Sequence, residues 1–424
     1  MSNNQDLFQR LLRLHPKKID LSLDRIKKLL AKLHHPEKSF HKAITVTGTN
    51  GKGSVCRFLK SILEEHGKTV NLYTSPHLQK FNERITLQTE DISDEFLEEV
   101  LTEVEKINKN DPITFFEITT AAAYLAFKQK PAEYTILETG LGGRLDATNV
   151  IEQPIAQVLT SISFDHQEFL GDSLQKIAYE KCSIFKNNTT IIISKQCPEV
   201  LKYIDQETRS NNSKKIFFAE DFNYQVENQR FIYQDDNSLM DLNMPSLQGE
   251  YQLVNATTAI ATAKYILKSL DNIKTSAALK KTYNKGRLEK IKIGKLREFI
   301  SDDNELYVDG SHNEDGGRVT ADFLQTIKKK KIYLIFGMLK NKNAKEFLKY
   351  FSNIATSLKA IKIPNQENTM DENNIIKTAN ELGIQSSASS SIINALIETS
   401  KEDPNGLIII TGSLYLAGEV LNLN

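Results

Sequence analysis

Ala43-Ile44-Thr45-Val46-Thr47-Gly48-Thr49-Asn50-Gly51-Lys52-Gly53-Ser54 decides how the rest of the chain is read. A β-branched apolar run ends in a glycine-rich turn carrying one lysine, and a helical pattern then starts at Val55, Phe58, Leu59, Ile62 and Leu63. Strand, phosphate loop and helix follow in that order. The glycines let backbone N–H groups converge on an anion, the helix N-terminus adds partial positive charge, and Lys52 adds a full one. Thr49, Asn50, Gly51, Lys52, Gly53 and Ser54 are therefore expected around a bound phosphate. The strict pattern, glycine, four residues, then Gly-Lys-Ser/Thr, is not met, because Gly53 separates Lys52 from Ser54. The alternative is a plain tight turn from strand to helix.

Around this stretch lie 424 residues, more than one hydrophobic core normally serves, so two domains are expected. Hydrophobic residues at 40% and charged residues at 25% suit a globular protein in water. Lys+Arg and Asp+Glu balance at 54 each, which removes a general electrostatic case for nucleic acid or an anionic membrane. No apolar run approaches the ~20 residues of a membrane span, and the start Met1-Ser2-Asn3-Asn4-Gln5-Asp6 does not read as a signal peptide. A cytoplasmic protein is expected. Cys56, Cys182 and Cys197 lack metal spacing and read as reduced, packed thiols.

Apolar positions from Leu7 to Leu33 recur at helical spacing and are interrupted by Pro16, which predicts a helical pair with Ser22 or Asp20 as a cap. Strands are expected near Thr69–Tyr73, Tyr134–Leu137, Ile155–Ser161 and Thr190–Ser194, and helices near Asp94–Ile107, Ile118–Phe127 and Leu174–Phe185. Short apolar strands separated by helices predict an α/β fold with a mostly parallel sheet covered on both faces. Asn212–Asn243 reads as a small antiparallel excursion, and Leu253–Leu270 as a helix. Alternation restarts past Arg287, with strands at Leu306–Val308, Ile332–Phe336, Ala360–Ile363 and Leu407–Ile410, and helices at Gly317–Ile327 and Ala344–Phe351. A second, smaller α/β domain follows. The serine cluster Ser386–Ser391 reads as a loop, and Lys328–Lys331 as a solvated helix end.

In parallel sheets ligands bind beyond the carboxyl ends of the strands. Ser75 in Thr74-Ser75-Pro76-His77, Glu138 after Tyr134–Leu137, and Asp165-His166 occupy such ends. If their strands neighbour the loop strand, Ser75, Glu138 and His166 converge near the phosphates as a partial shell for Mg²⁺. The plainer readings are a helix cap for Ser75, an exposed strand end for Glu138 and a structural histidine for His166. Lys181 falls inside an apolar stripe with Ile177, Ala178, Ile184 and Phe185, where an ammonium must be paired, altered, or snorkel to water. In the second domain, Asp309-Gly310-Ser311-His312-Asn313, Phe336-Gly337-Met338-Leu339-Lys340 and Thr411-Gly412-Ser413 end three strands. These polar rims predict a cleft between domains that holds ATP.

The ordered motifs Gly48 to Ser54, Ser75-Pro76-His77-Leu78 and Glu138-Thr139-Gly140-Leu141-Gly142-Gly143-Arg144-Leu145-Asp146-Ala147-Thr148-Asn149 resemble the folylpolyglutamate synthase/dihydrofolate synthase branch of the Mur ligase superfamily. Asp165-His166, Glu180-Lys181, Gly249 to Asn255, Gly286-Arg287, Asp309 to Asn313, Phe336-Gly337-Met338 and Thr411-Gly412-Ser413 extend the resemblance to the C-terminus. The resemblance implies a P-loop-type ATPase domain with N-terminal folate-site helices over residues 1–288 and a Rossmann-like ligase domain over residues 289–424. It implies ATP-dependent addition of L-glutamate to 7,8-dihydropteroate or to folate, through an acyl phosphate.

On the family pattern, Thr49 to Lys52 contact ATP phosphates, and Asn255, Arg287, Asp309 and neighbouring His312 serve the nucleotide. Ser75, Glu138 and His166 bind magnesium, and Lys181 corresponds to a lysine carried as a carbamate that holds a second magnesium. Lys52, Lys181 and His166 are the expected catalytic residues. The acceptor side falls on Asp20-Leu21-Ser22-Leu23, Thr114-Phe115-Phe116-Glu117 and Leu145-Asp146-Ala147. A monomer is expected. Three departures bear on substrate fit: Ser22 replaces a glycine, Cys182-Ser183 replaces Ala-Gly, and Tyr251 stands where histidine is frequent. A folylpolyglutamate synthase alone and another Mur-type amino-acid ligase are the sibling readings. About 40 residues before the loop are too few for a UDP-binding domain. A guanine-nucleotide switch would need Asn-Lys-x-Asp after a strand, and the tetrapeptide of that form, Asn108-Lys109-Asn110-Asp111, instead follows the expected helix Asp94–Ile107. A non-catalytic relative would be expected to lose ligands, and every candidate ligand is present.

Overall fold

The computed structural model describes residues 3–14, 19–40, 42–209, 211–327 and 330–424. Pro16, Lys328 and Lys329 lie outside them, so the expected break at Pro16 and half of the expected basic helix end are outside the description. The chain divides into two units. The first comprises Met1–Ile162, His166–Pro245 and Val254–Thr282, and the second Ser163–Asp165, Ser246–Leu253 and Tyr283–Asn424.

The first unit is built on β1 (Ala43–Thr47), β2 (Val70–Tyr73), β3 (Ile85–Leu87), β4 (Glu90–Asp91), β5 (Tyr134–Glu138), β6 (Ala156–Leu159), β7 (Thr190–Ile193) and β8 (Lys215–Phe217). Their order is β4-β3-β2-β5-β1-β6-β7-β8. All pairings are parallel except β2–β3 and β3–β4. Every residue of β1, β5, β6 and β7 is buried, as expected of parallel strands covered on both faces. The helix Phe115–Gln129 is buried almost all round, and its start is set by a capping box in which Thr114 and Glu117 bond each other's backbone N–H. It packs with Leu7, Leu11, Ile26, Leu29 and Leu30 of the helices Asn3–Leu12 and Asp24–Lys32. Leu23 occupies the N-cap of the second of these, and the Ser22 hydroxyl accepts from Asp24 N at 3.2 Å.

The expected antiparallel excursion is the meander β9 (Phe222–Glu227), β10 (Arg230–Asp235) and β11 (Ser238–Asn243). Phe217 belongs instead to β8 of the main sheet. The helix expected at Leu253–Leu270 spans Glu250–Leu267.

The second unit carries β12 (Glu289–Lys290), β13 (Glu305–Val308), β14 (Ile332–Phe336), β15 (Ala355–Ala360), β16 (Ser386–Ala388) and β17 (Leu407–Thr411), in the order β12-β13-β17-β14-β15-β16. Only β12 pairs antiparallel. Two expectations are corrected here. The strand expected at Ala360–Ile363 is β15, which begins in the weakly apolar Ala355-Thr356-Ser357; Ile361 and Ile363 are buried beyond its end. The serine cluster is not a loop throughout: Ser386–Ala388 pairs with β15 as an edge strand, and Ser391 caps the helix Ile392–Glu402 by accepting from Asn394 N.

Candidate functional site

Because β5 and β6 flank β1, their carboxyl ends open beside the phosphate loop. Gly48 (φ +146°) and Gly51 (φ +85°) hold backbone conformations that glycine tolerates. A side chain on Gly48 would collide with Thr160, and one on Gly51 would lie 2.5 Å from Asn255 Oδ1. Asn255 is thus brought to the loop. Thr49 N–H donates to Ser161 O at 2.7 Å, which pins the loop to the second residue after β6. The helix Lys52–Glu65 starts from Gly51, and Ser54 is buried in its first turn.

Two ammonium groups meet at this loop. Lys52 Nζ donates to Gly48 O at 3.1 Å and to Thr49 O at 3.0 Å. Lys181, from the helix Leu174–Cys182, donates to the same Gly48 O at 2.6 Å. Lys181 is 4% exposed, so the snorkelling alternative is corrected: its Nζ turns inward to a backbone carbonyl, which compensates burial of the charge. The loop after β5 comes against this helix. Arg144 N–H donates to Glu180 O at 2.9 Å, and the Arg144 guanidinium pairs with the Glu180 carboxylate at 2.9 and 3.2 Å. A Cβ on Gly143 would sit 2.7 Å from Glu180 O.

Glu138 ends β5 only 5% exposed, which sets aside the alternative of an exposed strand end. Its Oε2 accepts from Ser75 N at 3.1 Å, and Ser75 caps none of the described helices. His166 adopts a left-handed conformation (φ 49°) at the start of the short helix Gln167–Leu170. One carboxylate, one hydroxyl and one imidazole are few protein donors. Among the described residues no group of three or more His, Cys, Asp or Glu side chains forms a metal cage. Of the three donors above, the structure joins Ser75 to Glu138; hydroxyl and carboxylate are oxygen donors of the kind magnesium takes, with waters and phosphate oxygens completing its shell.

The expected acceptor residues meet through an arginine that sequence reading missed. Arg25 Nε donates to Glu117 Oε2 at 3.0 Å, while its terminal nitrogens donate to Asp20 Oδ2 at 3.1 Å and Asp20 O at 2.6 Å. Thr114 adds two bonds to Glu117 Oε2, at 2.8 Å from its N–H and 2.7 Å from its hydroxyl. Glu117 Oε1 is buried without a partner. Position five after Asp20, on the first turn of a helix, was the available signal. Phe116 links this side to the loop after β5, because a Cβ on Gly140 would lie 2.5 Å from its ring. Leu21 and Leu145 are half-buried, whereas Ala147 is buried. Asp146 accepts from Leu141 N (2.8 Å) and from Thr148 N (2.9 Å) and Oγ1 (2.6 Å), while burial pushes its carboxyl above the usual range.

In the second unit Asp309 is fully buried and accepts from Leu288 N (2.9 Å), Ser311 N (2.9 Å) and Thr320 Oγ1 (3.1 Å). Those bonds fix the turn holding half-buried Arg287 against the loop after β13. Burial raises the Tyr251 phenol, with Asp309 adding to the rise and Arg287 opposing it. His312 Nε2 lies 3.4 Å from Asp165 Oδ2, which also accepts from Asn313 Nδ2 at 3.1 Å; Lys342 pairs with Asp165 Oδ1.

Comparison with known proteins accords with this arrangement. Residues 46–263 match the Mur ligase middle domain, and residues 290–423 match the dihydrofolate synthetase C-terminal domain. The dihydrofolate synthase/folylpolyglutamate synthase of Haemophilus influenzae is 31% identical over 96% of this chain and 94% of that protein. The structure of E. coli FolC in complex with DHPP and ADP superposes with a TM-score of 0.88 at 25% identity, covering 99% of this chain and 97% of that one. The bifunctional folylpolyglutamate synthase/dihydrofolate synthase of Yersinia pestis, complexed with AMPPNP and Mn ion, gives 0.88 at 25% identity over 100% and 98%. The chain belongs to the Mur ligase family, in its dihydrofolate synthase/folylpolyglutamate synthase branch of ATP-dependent ligases.

Proposed function

We propose that this chain joins the amine of L-glutamate to the carboxylate of 7,8-dihydropteroate and of folates that already carry glutamate. The observation that carries this reading is the meeting of Lys52, Lys181 and the loop after Glu138 at one phosphate loop, with aromatic Phe116 packed against that same loop.

The acceptor carboxylate attacks the γ-phosphate of ATP, giving an acyl phosphate and ADP. The glutamate amine then attacks the acyl carbon, expels phosphate and loses a proton to give the amide. The first step brings two anions together and the second needs a neutral amine in line with the acyl carbon, so charge compensation and positioning dominate. Lys52 exchanges its two loop carbonyls for phosphate oxygens, with Thr49, Asn50, Gly51, Gly53, Ser54 and Asn255 around the anion. Arg287, Asp309 and His312 serve the nucleotide. Ser75, Glu138 and His166 would hold magnesium, which when bound would supply charge neutralisation at the transferred phosphoryl group. Lys181 as a carbamate exchanges its cation for an anion, the sign that a second divalent ion requires. Asp20, Leu21, Ser22, Leu23, Thr114, Phe115, Phe116, Glu117, Leu145, Asp146 and Ala147 take the acceptor, with rings available to stack on a pterin.

Phosphate release from ATP, magnesium and bicarbonate, with glutamate plus either dihydropteroate or tetrahydrofolate assayed separately, tests the reading. Release with each acceptor is expected, and no release with either contradicts it. Removal of bicarbonate should lower the rate and its return restore it; a rate indifferent to bicarbonate counts against the carbamate.

A further inference from the structure

We propose that His77 orients the acceptor: its Nε2–H, fixed as a donor by Arg84, holds one oxygen of the carboxylate that ATP activates. The proposal rests on the ligase reading above and deepens it.

The loop that carries His77 is held at several points. Ser75 N–H bonds Glu138, two residues before the histidine. Past it, Glu83 gathers the N–H groups of Leu78 (2.8 Å), Gln79 (3.3 Å) and Lys80 (3.3 Å) on one carboxylate. Within this frame Arg84 Nε donates to His77 Nδ1 at 2.9 Å. A guanidinium has no acceptor atom, so the Nδ1 lone pair is committed and the ring proton resides on Nε2. With Nδ1 accepting from Arg84, the ring carries a single proton and is neutral in this arrangement.

Half-buried His77 therefore presents one directed N–H, and no acceptor among the described residues pairs with it. Its ring centroid lies 5.6 Å from that of Phe81, which packs with Phe8 at 4.8 Å and Phe115 at 6.0 Å. The loop thus touches Glu138 at one end and the aromatic cluster at the other, the path a flat acceptor with a reacting carboxylate would follow. A neutral donor suits that carboxylate. It orients one oxygen without cancelling the charge, which leaves the other nucleophilic toward phosphorus.

The test is steady-state ligation by the full chain, with acceptor, ATP and glutamate varied in turn. His77→Ala should lower kcat/KM for the acceptor about 10- to 100-fold, the worth of one hydrogen bond to a charged group, with KM for ATP within about twofold. His77→Gln, whose amide N–H can reach the Nε2 position, should recover most of the loss. His77→Asn, whose amide reaches only Nδ1, should not. An unchanged acceptor kcat/KM in His77→Ala, an equal rise in KM for ATP, or failure of His77→Gln to exceed His77→Asn at wild-type melting temperature would each overturn the assignment. If His77→Ala does not fold, the Gln and Asn pair decides. Absence of turnover in the wild type overturns the ligase reading itself, whereas turnover that ignores His77 overturns this assignment alone.

Discussion

A carboxylate at the end of a buried strand is an unusual place for a charge, and Glu138 shows why position matters more than residue type. Its spacing after Tyr134–Leu137 was readable in the sequence, but its burial was not, because burial depends on which strands become neighbours. Glu138→Ala should abolish turnover far more completely than it weakens ATP binding by calorimetry; unchanged turnover would remove Glu138 from the metal site. Lys181 was legible as a lysine in an apolar stripe, yet only the fold reveals the carbonyl that receives it. His77 carries a pH consequence. The unfolded chain protonates it near 6.5, whereas the folded chain resists protonation down to about 4. Between those values the unfolded state binds more protons, so stability falls as pH drops through the window. Melting temperature should decline less steeply from pH 6.5 to 4 in His77→Gln than in the wild type. Equal slopes would contradict a neutral, half-buried imidazole.

At the scale of elements, the strands rich in Ile, Leu and Val were legible because parallel sheets bury both faces. β15 and β16 were displaced or missed because Ala and Ser carry little strand signal, and only pairing in an existing sheet recruits them. Arg25 was invisible for a related reason: its value lies in tying the start of one helix to the capping box of another. Arg25→Ala leaves the Glu117 carboxylate buried without its guanidinium, and should destabilise the fold by about 3 kcal/mol in denaturant unfolding. A loss below about 1 kcal/mol would show that Thr114 alone satisfies Glu117. Gly143→Ala pushes a methyl against Glu180 O, and either the loop or the helix bearing Lys181 must move. A cost of about 1–3 kcal/mol is expected, accompanied by lower kcat. Unaltered kcat would separate that contact from positioning of Lys181.

For the molecule as a whole, composition gave only broad bounds, and among the described residues no helix is long and apolar enough to cross a membrane. The order of motifs carried the family, and most fall at the carboxyl end of a strand: Gly48 after β1, Ser75 after β2, Asp309 after β13, Gly337 after β14 and Gly412 after β17. The departure of Gly-Lys-Gly-Ser from the strict phosphate-loop pattern is accommodated without strain on the helix, which starts at Lys52 with Ser54 buried beneath it. What remained hidden was the network behind the motifs: Arg25, the Arg84–His77 pair and the Arg144–Glu180 clamp are polar contacts whose partners are distant in sequence or unremarkable alone. The most direct test of the central claim is mass spectrometry of the acceptor after incubation with ATP, magnesium, bicarbonate and L-glutamate. The account predicts dihydropteroate and tetrahydrofolate each heavier by glutamyl units, with one ADP formed per unit; ADP formed without glutamyl product, or neither formed, would contradict it.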